Sequence, residues 1–201
     1  MADADIQIQR GFSEEYRASA ATLYEEAFGP KIALAIGSFE KRLAVIKGCL
    51  QPHYSFTAYL EKRLVGIVGF HTPSGSLTGC MDWPAIKKEL GFLKAIKAVA
   101  VLALYDRDPV PGELVLDGIS VDSGCRGRGI GSKLLNRIKT FAADESFSHV
   151  RLDVIDTNPR AKKLYAKVGF TETETKHYPV LSKFLGFSAS TTLLFKLPAQ
   201  S

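Results

Sequence analysis

Residues 124–135, Gly-Cys-Arg-Gly-Arg-Gly-Ile-Gly-Ser-Lys-Leu-Leu, set four glycines and two arginines directly ahead of a segment with helical spacing. Glycine lets a ligand approach the backbone closely, and a helix start offers free N–H groups at the positive end of its dipole. The stretch is therefore suited to an anion, above all a phosphate. Three phosphate-loop templates can be laid on it. The Walker pattern G-x-x-x-x-G-K-[ST] fails, because Ile130 follows Gly129 where lysine is required. The dinucleotide pattern G-x-G-x-x-G matches Gly127 and Gly129, but Ser132 replaces its third glycine and five residues separate Val121 from Gly127. The pattern R-x-x-G-x-G is met in full by Arg126, Gly129 and Gly131. Farther on, Asn158 and Tyr165 stand seven residues apart, about two turns along one helical face. Asn158 is also suited to cap that helix, with Pro159 in its first position.

The stretches "LDGISVDSGCRGRGIGSKLL" and "VRLDVIDTNPRAKKLYAKVGF" resemble the two signatures of the GNAT superfamily of acyl-CoA N-acyltransferases, over residues 113–171. The resemblance implies an α/β (α+β) fold: a mixed, mostly antiparallel central sheet flanked by helices, here with an inserted helical segment. It implies transfer of an acetyl group from acetyl-CoA, a co-substrate needing no metal, to a primary amine on a small molecule or peptide. Backbone N–H groups of Arg126, Gly127, Arg128, Gly129, Ile130 and Gly131 would hold the pyrophosphate, with Ser132 and Lys133 adding contacts. The strand edge at Ile119 and Val121 would pair with the pantetheine arm, the Ile119 region would face the thioester oxygen, and Asn158 would steady the arm. Tyr165, with a reference pKa near 10, would protonate the leaving thiolate. Asp117 matches a position where some members carry a catalytic carboxylate, acting directly or through water. A catalytically silent acyl-CoA binding or sensing module is the alternative, and a dinucleotide-binding oxidoreductase a weaker one.

Structural readings compete with these. Tyr165 taken alone reads as an amphipathic core residue with its hydroxyl at the rim. Asp117 reads equally well as a solvated or paired strand carboxylate, and Cys125 as a small turn residue. His53, His71, His149 and His177 lack metal-ligand spacing, although His177 and Tyr178 follow the strand after the tyrosine helix and are acceptor-site candidates.

These residues need a frame of alternating strands and helices. Ile6 and Ile8 alternate with glutamines as in a strand, and Ser13 is placed to cap a helix ending at Gly29-Pro30, with a second helix over 31–50. "HYSFTAYL" and "LVGIVGF" read as a hairpin turning through residues 61–63. The Gly/Ser/Thr/Pro-rich stretch 72–83 reads as loop, and Pro84 opens a helix to about Tyr105. Strand "ELVLDGISV", a helix to about Asp144, strand "HVRLDVID", a helix stopped by Gly169, and strands at 170–175 and 188–197 complete the order. One domain over 1–201 is expected, with an inserted loop and helix at about 72–112 that departs from a compact family pattern.

The 201 residues, 46% hydrophobic and 23% charged, suffice for one well-formed core. A net charge of +5 suits an anionic ligand, while the lack of a long basic block interleaved with aromatics argues against nucleic acid. Three cysteines without metal-like spacing, and a start without a signal-peptide pattern, lead us to expect a cytoplasmic protein. The longest apolar run, Ala98 to Tyr105, is too short to span a membrane. On the inserted helix, Lys87, Lys88, Lys94 and Lys97 gather on one side. Its end, at Val99, Val101, Leu102 and Leu104, is apolar nearly all round, which suits a buried end, a homodimer interface or a lid.

Overall fold

The computed structural model describes residues 5–33, 35–79, 81, 83–102, 109–179, 182 and 186–198; for Pro30–Ile32, Ala85, Lys94, Lys97 and Ala100–Leu102 it describes the backbone alone. Strand β1 (Gln7–Arg10) is followed by a short 3-10 turn and helices α1 (Arg17–Ile32) and α2 (Phe39–Cys49). Then come β2 (Ser55–Leu60), β3 (Arg63–Thr72), β4 (Gly75–Ser76), α3 (Trp83–Leu90), α4 (Phe92–Leu102) and β5 (Glu113–Val121). Helix α5 (Ile130–Asp144), β6 (His149–Ile155), α6 (Pro159–Lys167), β7 (Thr171–His177) and β8 (Ala189–Lys196) complete the chain. The sheet runs β1-β2-β3-β5-β6-β8-β7, with β4 beside β3. Its pairings are antiparallel except β5 with β6. A dinucleotide-binding sheet would be parallel throughout, so the oxidoreductase reading falls here.

Two details of β5 shape everything that follows. First, β5 pairs with β6 only over Glu113–Val115 and His149–Arg151, whereas β6 stays paired to β8 as far as Ile155. The strands part beyond Val115, opening a gap in the middle of the sheet. Second, Gly69 of β3 pairs with Gly118 but Phe70 pairs with Leu116, so Asp117 is an extra residue in a β-bulge. The bulge changes the phase of the strand. Leu114 and Leu116 share one cluster with Ile119 and Val121, which strict alternation forbids.

Each sheet face carries one cluster. On one, α5 and α6 cover Phe56, Val68, Phe70, Leu114, Leu134, Leu135, Ile138 and Tyr165, with Phe56, Phe70 and Phe141 meeting ring to ring at 4.9–5.9 Å. On the other, α1, α2 and α4 cover Leu64, Ile67 and Leu77. Glu25 of α1 and Arg42 of α2 form a 2.7 Å ion pair with both side chains largely buried. Arg42 also donates to the Ile36 and Gly37 carbonyls. Removing one partner of such a pair leaves a buried charge, so it fixes how α1 presents its faces.

Local departures from the sequence reading have local causes. Ser13 does not cap; its hydroxyl donates to Glu15, and α1 begins after the 3-10 turn. Helix α1 runs past Gly29-Pro30, because Ala33 N–H still reaches the Gly29 carbonyl at 2.7 Å. The second helix starts at Phe39, after an extended Ser38, instead of filling 31–50. The loop over 72–83 contains β4. The helix expected from Pro84 to Tyr105 is two, broken at Gly91, whose φ of +76° no α-helix accommodates. Ala95 and Ala98 of α4 are buried while Phe92, Leu93 and Ile96 are exposed. The apolar end picked out in the sequence lies outside the described residues at Leu104, and outside the described side chains at Val101 and Leu102. Cys80 also lies outside them.

Candidate active site

The site begins where β5 runs out. Asp122 follows β5, and its side chain accepts from Gly124 N–H at 2.9 Å while its carbonyl accepts from Cys125 N–H, closing a 3-10 turn. Arg63 reaches Asp122 at 3.4 Å and the buried Cys125 sulfur at 3.3 Å, so Cys125 is the small turn residue expected. Asp122 is a site-shaping residue that the glycine pattern did not reveal, although Asp before Ser-Gly is an Asx-turn signal. Once Asp122 has taken the Gly124 and Cys125 donors, the run of N–H groups from Arg126 to Ser132 precedes the first intrahelical bond, made by Lys133 N–H to Gly129 O at 3.0 Å. The last of these N–H groups, in the first turn of α5, stand at the positive end of the helix dipole. The Lys133 N–H is thus occupied, leaving its side chain for a ligand.

The glycines divide by role. Gly127 and Gly129 have φ of +84° and +77°, and a Cβ on either would meet nothing within 4 Å. That is a cradle open to a ligand, rimmed by the exposed Arg126 and Arg128. Gly131 differs. A Cβ there would stand 2.9 Å from Leu164 Cδ2, so this glycine admits α6 against the start of α5. Ile130 likewise has only its backbone to offer, since its side chain is buried in the core. Arg126 Nε donates to Val121 O at 3.1 Å, tying the loop to β5.

The free edge of β5 faces the gap. Asp122 N–H bonds Val65 O of β3 at 2.9 Å. Alternation along the strand then turns the N–H and C=O groups of Val121 and Ile119 away from β3, toward the side β6 has left. Asn158 caps α6, accepting from Ala161 N–H through Oδ1 at 3.2 Å with Pro159 next. Tyr165, on the same helix, is buried, its ring 6.0 Å from that of Phe170. Burial raises its pKa well above the ordinary phenol value. Among the described residues no side chain or backbone group hydrogen-bonds its hydroxyl.

Asp117 sits on the opposite face. In the bulge it accepts from Thr78 Oγ1 at 3.1 Å and faces Tyr24 of α1. Burial pushes its pKa up, while Thr78, His71 and Tyr24 oppose the rise. The Phe28 ring lies over Gly118, where a Cβ would stand 1.9 Å from Cζ. Tyr165 and Asp117 thus lie on opposite faces of the sheet. His177 ends β7 and is exposed, and the Tyr178 ring packs on Phe187 at 5.7 Å. Among the described residues, neither hydrogen-bonds or pairs with Asp117. Among the described residues no cluster of His, Cys, Asp or Glu could hold a metal.

Known proteins resemble this chain in sequence and in fold. The model of the acetyltransferase (GNAT) family matches residues 21–170. Thialysine N-epsilon-acetyltransferase of Bos taurus is 40% identical over 67 residues, 32% of this chain and 39% of the relative. N-acetyltransferase 8B of Homo sapiens is 30% identical over 107 residues, 53% of this chain and 45% of the relative. The chain therefore matches less than half the length of these curated relatives. Among solved structures, a GCN5-related N-acetyltransferase from Kribbella flavida superposes with a TM-score of 0.62 at 14% identity, over 98% of this chain and 100% of that one. An acetyltransferase from Salmonella typhimurium, solved with its cofactor acetyl-CoA, gives 0.60 at 16% identity, over 98% and 96%. At these identities the structures show a shared fold. With the family model running from within α1 through β2–β6, the glycine loop, α5 and α6, three quarters of the sequence, the chain belongs to the acetyltransferase (GNAT) family.

Proposed function

We propose that the protein transfers an acetyl group from acetyl-CoA to a primary amine. The observation that carries this reading is the open cradle of Gly127 and Gly129 at the start of α5, beside a strand edge freed by the parting of β5 and β6. Backbone N–H groups of Arg126 to Ser132 hold the pyrophosphate, with Arg126 and Arg128 adding charge. The edge at Ile119 and Val121 pairs with the amides of the pantetheine arm, and Asn158, its Oδ1 engaged in capping, has its amide N–H groups for the same arm. The relative acting on an N-epsilon amine supports a primary amine acceptor.

Acetyl-CoA supplies an acyl carbon activated as a thioester. Asp117 takes the proton from the amine, directly or through one water, as its nitrogen bonds the acyl carbon. The N–H groups of the Ile119 region stabilise the oxyanion. As the C–S bond breaks, Tyr165 gives its proton to the sulfur; solvent later returns a proton to Tyr165 and removes one from Asp117. Burial suits Tyr165 to this part, since it keeps the phenol protonated across neutral pH and makes a thiolate in the same surroundings a stronger base.

The test is incubation with acetyl-CoA and pooled amines, following free thiol release and identifying the acetylated product by mass. Product with an added acetyl group is expected. Saturable acetyl-CoA binding without product from any amine class would instead favour the silent acyl-CoA sensing module.

A further inference from the structure

Thr78 belongs to the stretch between β3 and β5 that sets this chain apart from a compact family pattern, and it is held firmly in place. Leu77, fully buried, packs so tightly on Gly69 that a Cβ there would stand 2.5 Å from Leu77 Cδ2. Leu77 N–H donates to Phe70 O at 3.3 Å, and Leu77 O accepts from Gln51 N–H at 2.8 Å. The turn closes on itself through Gly79 N–H to Ser76 O and Met81 N–H to Thr78 O. Gly69 is the β3 residue paired beside the bulge, so this packing delivers Thr78 to Asp117. Tyr24 arrives from the other side, next to Glu25, whose ion pair with Arg42 fixes α1. The Tyr24 and Phe28 rings lie 4.5 Å apart, with Phe28 over Gly118 and Tyr24 facing Asp117.

We propose that Thr78 and Tyr24 are positioning residues for Asp117, fixing its carboxylate as a proton acceptor and making the segment after β3 part of the reaction site. The proposal rests on the reading of Asp117 as the base. A carboxylate in an apolar bulge is costly to ionise, and donated hydrogen bonds offset that cost. Thr78 donates its hydroxyl at 3.1 Å, and the Tyr24 phenol faces the same carboxyl. The titratable groups that face Asp117 are Tyr24 from α1 and His71 from β3.

The experiment compares pH profiles of kcat and kcat/KM for the parent, Thr78→Val, Thr78→Ser and Tyr24→Phe, using acetyl-CoA and the best amine of the screen. Thr78→Val and Tyr24→Phe are expected to move the acid limb to higher pH and to lower kcat by roughly tenfold, the scale of one hydrogen bond to a charged group. KM for acetyl-CoA should stay at its parent value. Thr78→Ser, which keeps the donor, should keep the parent profile. Acid limbs that coincide in all four proteins would overturn the proposal, and so would an Asp117→Asn variant as active as the parent. Should Thr78→Val not fold, Tyr24→Phe against Thr78→Ser gives the same contrast. If the parent acetylates no amine, the functional reading fails separately, and the clamp is read by titrating the 13C resonance of the Asp117 carboxyl. A raised midpoint in Tyr24→Phe supports the clamp; an unchanged one sinks it.

Discussion

On one side of the sheet gap, the loop, α5, β6 and α6 follow one another within residues 122–167; on the other, Tyr24, Thr78 and Asp117 come from α1, a turn after β3 and a bulge in β5. The first region is held by bonds between near neighbours: Asp122 to Gly124, Lys133 to Gly129, Asn158 to Ala161. The second is held by close approach across the sheet, Leu77 on Gly69 and Phe28 on Gly118. A short-range site can be carried whole by its own sequence. A long-range one depends on the packing of three separate segments, so it can change while the fold stays the same.

The largest expected effects come from the two groups proposed as acid and base. Tyr165→Phe keeps the ring packing and removes the proton donor. It should lower turnover by ~10²–10⁴-fold, roughly 3–5 kcal/mol of barrier, while calorimetry finds near-parent CoA affinity. Turnover unchanged by this substitution would move the acid role to Ser120 or a bound water. Asp117→Asn should lower turnover on a similar scale, and it should also stabilise the fold at neutral pH. The sign follows from the raised pKa of the native carboxyl, which makes the native state hold a proton the unfolded chain has released. Stability from this group therefore falls as pH rises from the ordinary carboxylate pKa, near 3.9, through the raised native value. The melting-temperature advantage of the Asn variant should be present above that window and vanish below it; a variant less stable than the parent at neutral pH would contradict the assigned burial.

Intermediate effects separate the two kinds of glycine. Gly131→Val drives a side chain into Leu164 and should cost roughly 1–3 kcal/mol of stability, part of which Leu164→Ala in the same chain recovers. Gly129→Val meets open space but strains a left-handed residue by roughly 1–3 kcal/mol and blocks the cradle, so Leu164→Ala should restore neither its stability nor its CoA binding. Denaturation midpoints and CoA titrations of the two pairs of variants decide it. Equal rescue of both would erase the distinction between packing glycine and ligand glycine.

The smallest effect is expected at Arg126, an exposed residue. Arg126→Ala should weaken CoA binding by about fivefold or less at low salt, and by less again once ionic strength is raised. A salt-independent loss would mean that Arg126 acts through its bond to Val121 O, shaping the loop instead of attracting the ligand.

The sequence by itself determined what neighbours in the chain can settle. Four glycines with two arginines ahead of an amphipathic helix and the Asn158-Pro159 start of α6 are written in local backbone preferences and hydrogen bonds spanning two to four residues. The order of strands followed from the same short-range patterns. Tertiary structure alone decided where β5 and β6 part, that Asp117 is the extra residue of a bulge, and that Gly131 serves α6. It also decided that Thr78, in a stretch read as plain loop, touches Asp117 across 39 residues of sequence. The physical reason is that a period-two pattern records which residues are apolar but not where a strand changes phase. That phase is set when Leu77 and Phe28 press against Gly69 and Gly118, contacts between residues too far apart in the chain to leave a local pattern.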